Sequence, residues 1–137
     1  MSKTISHHAA LIYAMVTISA VDRRMNDYEL ARIGSIVRNT PVFRDFSEEN
    51  LVRTAEECAA ILAEESGLDT VLGLVAEALP EALHETAYAL AVEVAAADLS
   101  VSQEELRFLQ MLRDGLDLDK LAVAAIERGA RARHTVL

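Results

Sequence analysis

The chain has one cysteine, no tryptophan, two prolines and five glycines among 137 residues. A lone cysteine, Cys58, excludes an intramolecular disulfide and suits a reducing compartment, so a cytoplasmic location is expected. Inside a helical stretch it reads as a packing residue rather than a redox centre. Scarce proline and glycine leave few turns and favour long elements. Aromatics make up only 4% of a chain that is 52% hydrophobic, so Ala, Leu, Val and Ile must build the core. Ala and Leu favour helix, and no segment alternates with the period of a strand. These absences predict an all-α fold, and the length fits one domain, residues 1–137.

Positive charge is nearly absent from the middle of the chain. Phe46 to Glu105 holds fourteen acids and one base, Arg53, within a formal net charge of −9. Such a surface repels phosphate backbones and argues against nucleic acid. It suits a metal ion or a basic protein surface, or is simply a solvated face that maintains solubility. Charge of either sign is missing from Thr4–Val21. That stretch contains His, Ser and Thr, and Ala supplies many of its apolar residues, so it falls short of the ~20 strongly apolar residues of a span. It reads as a helix buried on most sides, and an integral membrane protein is not expected.

What is present is helical periodicity with end signals. A first helix is predicted from about Ile5 to Val21, and a second from Asn26 as N-cap to about Asn39, just ahead of Pro41. Ser47 is expected to cap a third helix, about Glu48–Glu65, with a core stripe of Leu51, Ala55, Cys58, Ala59 and Leu62 and a stop at Gly67. Asp69 is expected to cap a short fourth, Thr70–Leu79. Pro80 opens a fifth reaching about Ala97. Ser102 caps a sixth, Gln103–Asp114, ended by Gly115. Asp117 or Asp119 starts a seventh reaching about Arg131, with His134–Leu137 frayed.

Shifting the sequence by 76 residues lays helices one and two on helices five and six, units of about 5–39 and 81–115. Val16, Ala20, Asp22, Glu29 and Leu30 meet Val92, Ala96, Asp98, Glu105 and Leu106. In each copy an apolar helix ends at Asp, three residues intervene, and an N-cap residue (Asn26 or Ser102) is followed three positions later by Glu. That is a capping-box arrangement, with Met25/Leu30 and Val101/Leu106 placed as hydrophobic staples. Each copy therefore specifies a tight helix–loop–helix corner, and two such hairpins must pack together to bury their apolar faces.

Capping already accounts for Glu29 and Glu105. Asp22 and Asp98 are harder to explain, because a carboxylate at a helix C-terminus opposes the dipole by ~0.3–1 kcal/mol. Arg23 and Arg24 could pair with Asp22. No base follows Asp98, which could instead accept loop N–H groups. The functional alternative is a cation site. Asp22, Asn26 and Glu29, and likewise Asp98, Ser102 and Glu105, stand at positions 1, 5 and 8 of their corners. Their oxygen donors suit Ca²⁺ or Mg²⁺ better than Zn²⁺. The corner is too short for an EF-hand loop and lacks its Gly.

The segments SAVDRRMNDYELARIGSIV and AAADLSVSQEELRFLQML resemble the two halves of the tellurite-resistance TerB family, and the resemblance covers nearly the whole chain. It implies a compact bundle of about seven helices with two pseudo-symmetric hairpins. It also implies acidic corners of the form ADG-x-(apolar)-x-x-x-E, here Asp22 with Glu29 and Asp98 with Glu105. The chain departs from that form at the Gly, which is Arg23 in one copy and Leu99 in the other. The resemblance further implies an accessory, interaction-based role in bacterial stress response or tellurite resistance, with divalent metal bound.

Other chemistry finds little support. Glu81-x-x-His84 is half of a carboxylate di-iron motif, with no second half. His7, His8 and His84 lie more than three helical turns from Asp22 and Asp98 and read as packed or solvated side chains. There is no phosphate loop, zincin motif or nucleophile elbow, and an enzyme is not expected. Two functional expectations remain: a binding module with a divalent cation at its corners, or a metal-free scaffold whose acidic surface docks a basic protein. A second copy of the chain is among the partners considered. A metal-dependent enzyme is the least supported reading.

Overall fold

The computed structural model describes residues 4–21, 25–97 and 101–137. Among these, all regular structure is helical. The α-helices are α1 (His7–Ala20), α2 (Asp27–Asn39), α3 (Leu51–Leu62), α4 (Gly67–Ala78), α5 (His84–Ala96), α6 (Gln103–Gly115) and α7 (Lys120–His134). Short 3-10 turns at Pro41–Phe43, Glu48–Asn50 and Glu81–Leu83 join some of them.

The uncharged first stretch becomes the centre of the bundle. Every residue from Ala10 to Ser19 is buried, and α1 packs chiefly on α5 and α3. Leu11, Ile12, Met15 and Ile18 are fully buried, each worth about 1.5–3 kcal/mol. Helix α5 buries Ala87, Tyr88, Leu90, Ala91, Val92, Val94 and Ala95. Alanines on both helices allow close approach, which fits a core short of aromatics.

Polar groups on these central helices must find partners inside the protein. Ser19 Oγ donates to the Met15 carbonyl at 3.1 Å. Thr17 Oγ1 lies 3.6 Å from Cys58 Sγ on α3, and burial pushes the Cys58 thiol up to about 11. The cysteine is thus a packing residue, as its context suggested. On α5, Glu93 accepts from Arg133 Nη2 at 2.7 Å and from His134 Nε2 at 3.0 Å, both on α7. Positions 17 and 93 are 76 residues apart, and each ties a central helix to an outer one. The buried Tyr88 hydroxyl donates to the Glu127 carboxylate and accepts from Arg113 Nη1 at 3.1 Å, joining α5, α6 and α7. Burial and the Glu127 bond push its phenol up to about 12.

Several helix ends differ from expectation. Helix α3 begins at Leu51, because Glu48–Asn50 forms a 3-10 turn and the Ser47 side chain makes no cap bond. It ends at Leu62, not Glu65, because α4 starts immediately beyond it. Gly67 is not the stop of α3 but the first residue of α4. A Cβ there would stand 2.1 Å from the Ile61 carbonyl oxygen and 2.8 Å from Leu62 Cα, so only glycine permits the approach. The left-handed residue that reverses the chain is Ser66, with φ 59°. Asp69 lies within the first turn of α4 rather than capping it. Helix α7 is capped by Asp119, which accepts from Leu121 N and Ala122 N. It runs to His134 instead of about Arg131, because Glu93 holds its last turn. Pro80 sits in extended conformation ahead of a 3-10 turn, and α5 proper starts at His84.

Two predictions follow from these contacts. Gly67→Ala should destabilise by about 2–3 kcal/mol through overpacking. Gly73→Ala, at an exposed position of α4 with nothing within 4 Å of the added Cβ, should stabilise by roughly 0.5–1 kcal/mol. Urea denaturation of both variants checks the pair, and equal effects would contradict the contact at Gly67. The second concerns pH. Burial alone would raise the Glu93 carboxyl, but Arg133 and His134 outweigh it and hold it below its ordinary value of 4.5. A depressed folded value adds stability above the unfolded pKa and loses it as pH falls through the folded one. Glu93→Gln should therefore melt below the parent at pH 7, with the gap closing below about pH 4. A gap unchanged at pH 3 would exclude the ion pairs as its source.

Candidate functional site

The two corners are built by the same local chemistry. Asn26 is extended, with φ −101° and ψ 174°. Its Oδ1 accepts from Glu29 N at 2.8 Å, and its own N–H donates to Glu29 Oε1 at 3.2 Å. Ser102 is extended likewise, with φ −75° and ψ 164°. Its Oγ accepts from Glu105 N at 3.1 Å, and its N–H donates to Glu105 Oε1 at 2.9 Å. Both predicted capping boxes are therefore formed. They bring Asn26 to Glu29 and Ser102 to Glu105, and leave the two glutamates only 6% and 8% exposed.

Asp22 and Asp98, the acids for which capping gives no account, lie outside the described residues. Of the six expected donors, the four described ones already share hydrogen bonds inside their own boxes. Among the described residues, no group of three or more His, Cys, Asp or Glu side chains could hold a metal ion. The staples differ in burial. Met25 and Leu30 are half-buried against the core, whereas Val101 and Leu106 are exposed, Leu106 by 49%.

The histidines have partners of their own. His8 Nε2 lies 3.0 Å from both the Val42 carbonyl and Asp45 Oδ1. Both are acceptors, so that nitrogen carries the proton and ties α1 to the segment after α2. Phe43 and Phe46 pack around the ring. His84 Nε2 donates to the Leu79 carbonyl at 3.2 Å. This bond gives the His84 ring a backbone partner just ahead of α5.

A feature that sequence reading missed lies beside the first corner. An open groove of about 840 Å³ runs between the end of α1, the start of α2, and α3 and α4. Val21, Met25 and Leu30 form one wall, and Leu68 closes the far side. Ala59, expected in the α3 core stripe, is exposed in it together with Ala60. The available signal was size. Ala59, Ala60 and Ala63 are too small to fill the space that the surrounding helices leave. Asp27 and Glu56 are the charged residues that line it among the described residues.

Among the described residues, no helix is long and apolar enough to cross a membrane. No curated protein and no solved structure matches the chain. The family model described as tellurite resistance protein TerB does match, over residues 8–128. That match spans α1 to most of α7, including both capped corners, and the chain belongs to the TerB family.

Proposed function

We propose that this TerB-family chain is a cytoplasmic binding module of a bacterial stress or tellurite-resistance response, holding Ca²⁺ or Mg²⁺ at its acidic corners. The observation that supports the cation is the burial of Glu29 and Glu105 at two corners of matching construction. Each box uses Oε1 of its glutamate as acceptor for the cap N–H. A buried carboxylate is stabilised by positive charge beside it, and a bound cation would add to what the cap N–H supplies. Asp22 and Asp98 would supply the second carboxylate of each corner, with water completing the shell of a hard ion.

A metal-free form of the same module is favoured by a different observation. Asn26 Oδ1 and Ser102 Oγ already accept backbone N–H groups, so each corner is complete as a helix cap. Function would then rest on the acidic surface, where Glu48, Glu49, Glu56, Glu57, Glu64, Glu65 and Asp69 are all exposed, docking a basic protein.

Thermal melts separate the two. If the corners bind, Ca²⁺ or Mg²⁺ should raise the midpoint more than Zn²⁺. At a hundredfold excess over Kd the gain is about 2.7 kcal/mol. Asp98→Ala should cut the shift. An unmoved midpoint, or a shift intact in the variant, removes the cation and leaves the metal-free module. For that module, reversing Glu64 and Glu65 to Lys should weaken capture of a basic partner from cell extract. Undiminished capture would count against the acidic surface.

A further inference from the structure

We propose that the groove between α1, α2, α3 and α4 is a docking site for a basic amphipathic helix of a partner protein. This rests on the binding-module reading and names the surface and the chemistry it recognises.

The groove is lined mainly by apolar side chains, yet it is open to solvent. Val52 at its edge is 50% exposed, and Ala59 and Ala60 on its floor are exposed as well. Exposed apolar surface of this kind is normally covered in use. Along α3 the lining runs from Val52 to Ala63, about 16 Å at 1.5 Å per residue. That length matches an apolar stripe of i, i+4, i+7 and i+11 on an incoming helix. Alanines on the floor let the backbone of that helix come close, while Met25, Leu30 and Leu68 give side walls. Met25 adds adaptable, polarizable contact surface.

Charge selects the occupant. Asp27 and Glu56 stand on the lining. The segment from Glu48 to Asp69 carries seven exposed acids against the single base Arg53. Arg53 is itself engaged, donating to Asn50 Oδ1 at 2.9 Å. A helix with Lys or Arg flanking a Leu-rich stripe would meet the apolar lining together with Asp27 and Glu56. A second copy offers a rival occupant in the outer face of α7, where Leu121, Arg128 and Arg131 are exposed. Two copies each bring a net charge of −9, which opposes that association and favours a foreign basic helix.

The test uses the full chain and three fluorescein-labelled helical peptides: a Leu/Lys amphipath, its Leu/Glu counterpart, and residues 119–137 of this protein. Fluorescence anisotropy should show saturable binding of the Lys peptide, weaker at high salt, and no binding of the Glu peptide. Ala59→Arg places a long cation on the floor and should weaken binding roughly tenfold or more. Glu56→Lys should weaken it several-fold and flatten the salt dependence. Circular dichroism checks that both variants fold, and Glu77→Lys on α4, outside the groove lining, should bind like the parent. Equal binding of the Lys and Glu peptides, no binding of the Lys peptide, or undiminished binding by Ala59→Arg overturns the groove as the site. Tighter binding of the 119–137 peptide than of the Lys peptide, with concentration-dependent dimers lost in Ala59→Arg, assigns the groove to a second copy and also overturns the proposal. None of these results alters the cation melts, so failure here is distinguishable from failure of the binding-module reading.

Discussion

The contact between α1 and α5 is the constraint from which the rest of the bundle follows. Helix α1 carries no Asp, Glu, Lys or Arg, α5 carries only Glu85 and Glu93, and both are buried along most of their length. Hydrophobic burial favours such a pair, but every polar group carried inward must then be bonded within the protein. Thr17 meets Cys58 on α3, and Tyr88 meets Arg113 on α6 and Glu127 on α7. Glu93 meets Arg133 and His134 at the end of α7. These polar contacts are directional where the apolar ones are not, and they set which outer helix covers which central one.

Corners and core depend on one another. A capping box fixes where α2 and α6 begin. Asn26 and Ser102 reach their glutamates through different atoms, an amide oxygen and a hydroxyl, yet form the same pair of hydrogen bonds. That local chemistry operates whether or not an ion is present. The glutamates of both boxes, Glu29 and Glu105, are buried.

The groove is a consequence of composition. A core rich in Ala packs closely at its centre but leaves space wherever helices diverge, because Ala cannot reach across a widening gap. At Gly67 the missing Cβ lets α4 start against the backbone of Ile61 and Leu62. Of the α3 alanines, Ala55 is buried and Ala59 and Ala60 face solvent. A larger side chain at Ala59 or Ala60 would have filled the space.

By itself the sequence determined the class and the local events. It specified seven helices, the two capping boxes, the burial of the uncharged first helix, the packing role of Cys58 and membership of the TerB family. The helices, caps, burial and cysteine role follow from short-range physics, namely period, cap chemistry, charge and spacing, whereas the family was legible as a resemblance of two segments and rests on the match over residues 8–128. Only the tertiary structure decided what depends on distant neighbours. Glu93 extends α7 to His134 by pairing across 40 and 41 residues. Gly67 serves close approach rather than a helix stop, because its neighbours are backbone atoms of another helix. Ala59 lies in a groove, although a helical stripe had placed it in the core. A period of 3.6 residues identifies the face a helix turns inward, but not how far the facing helix stands from it. That distance is set by side-chain volumes and polar ties contributed from the whole chain.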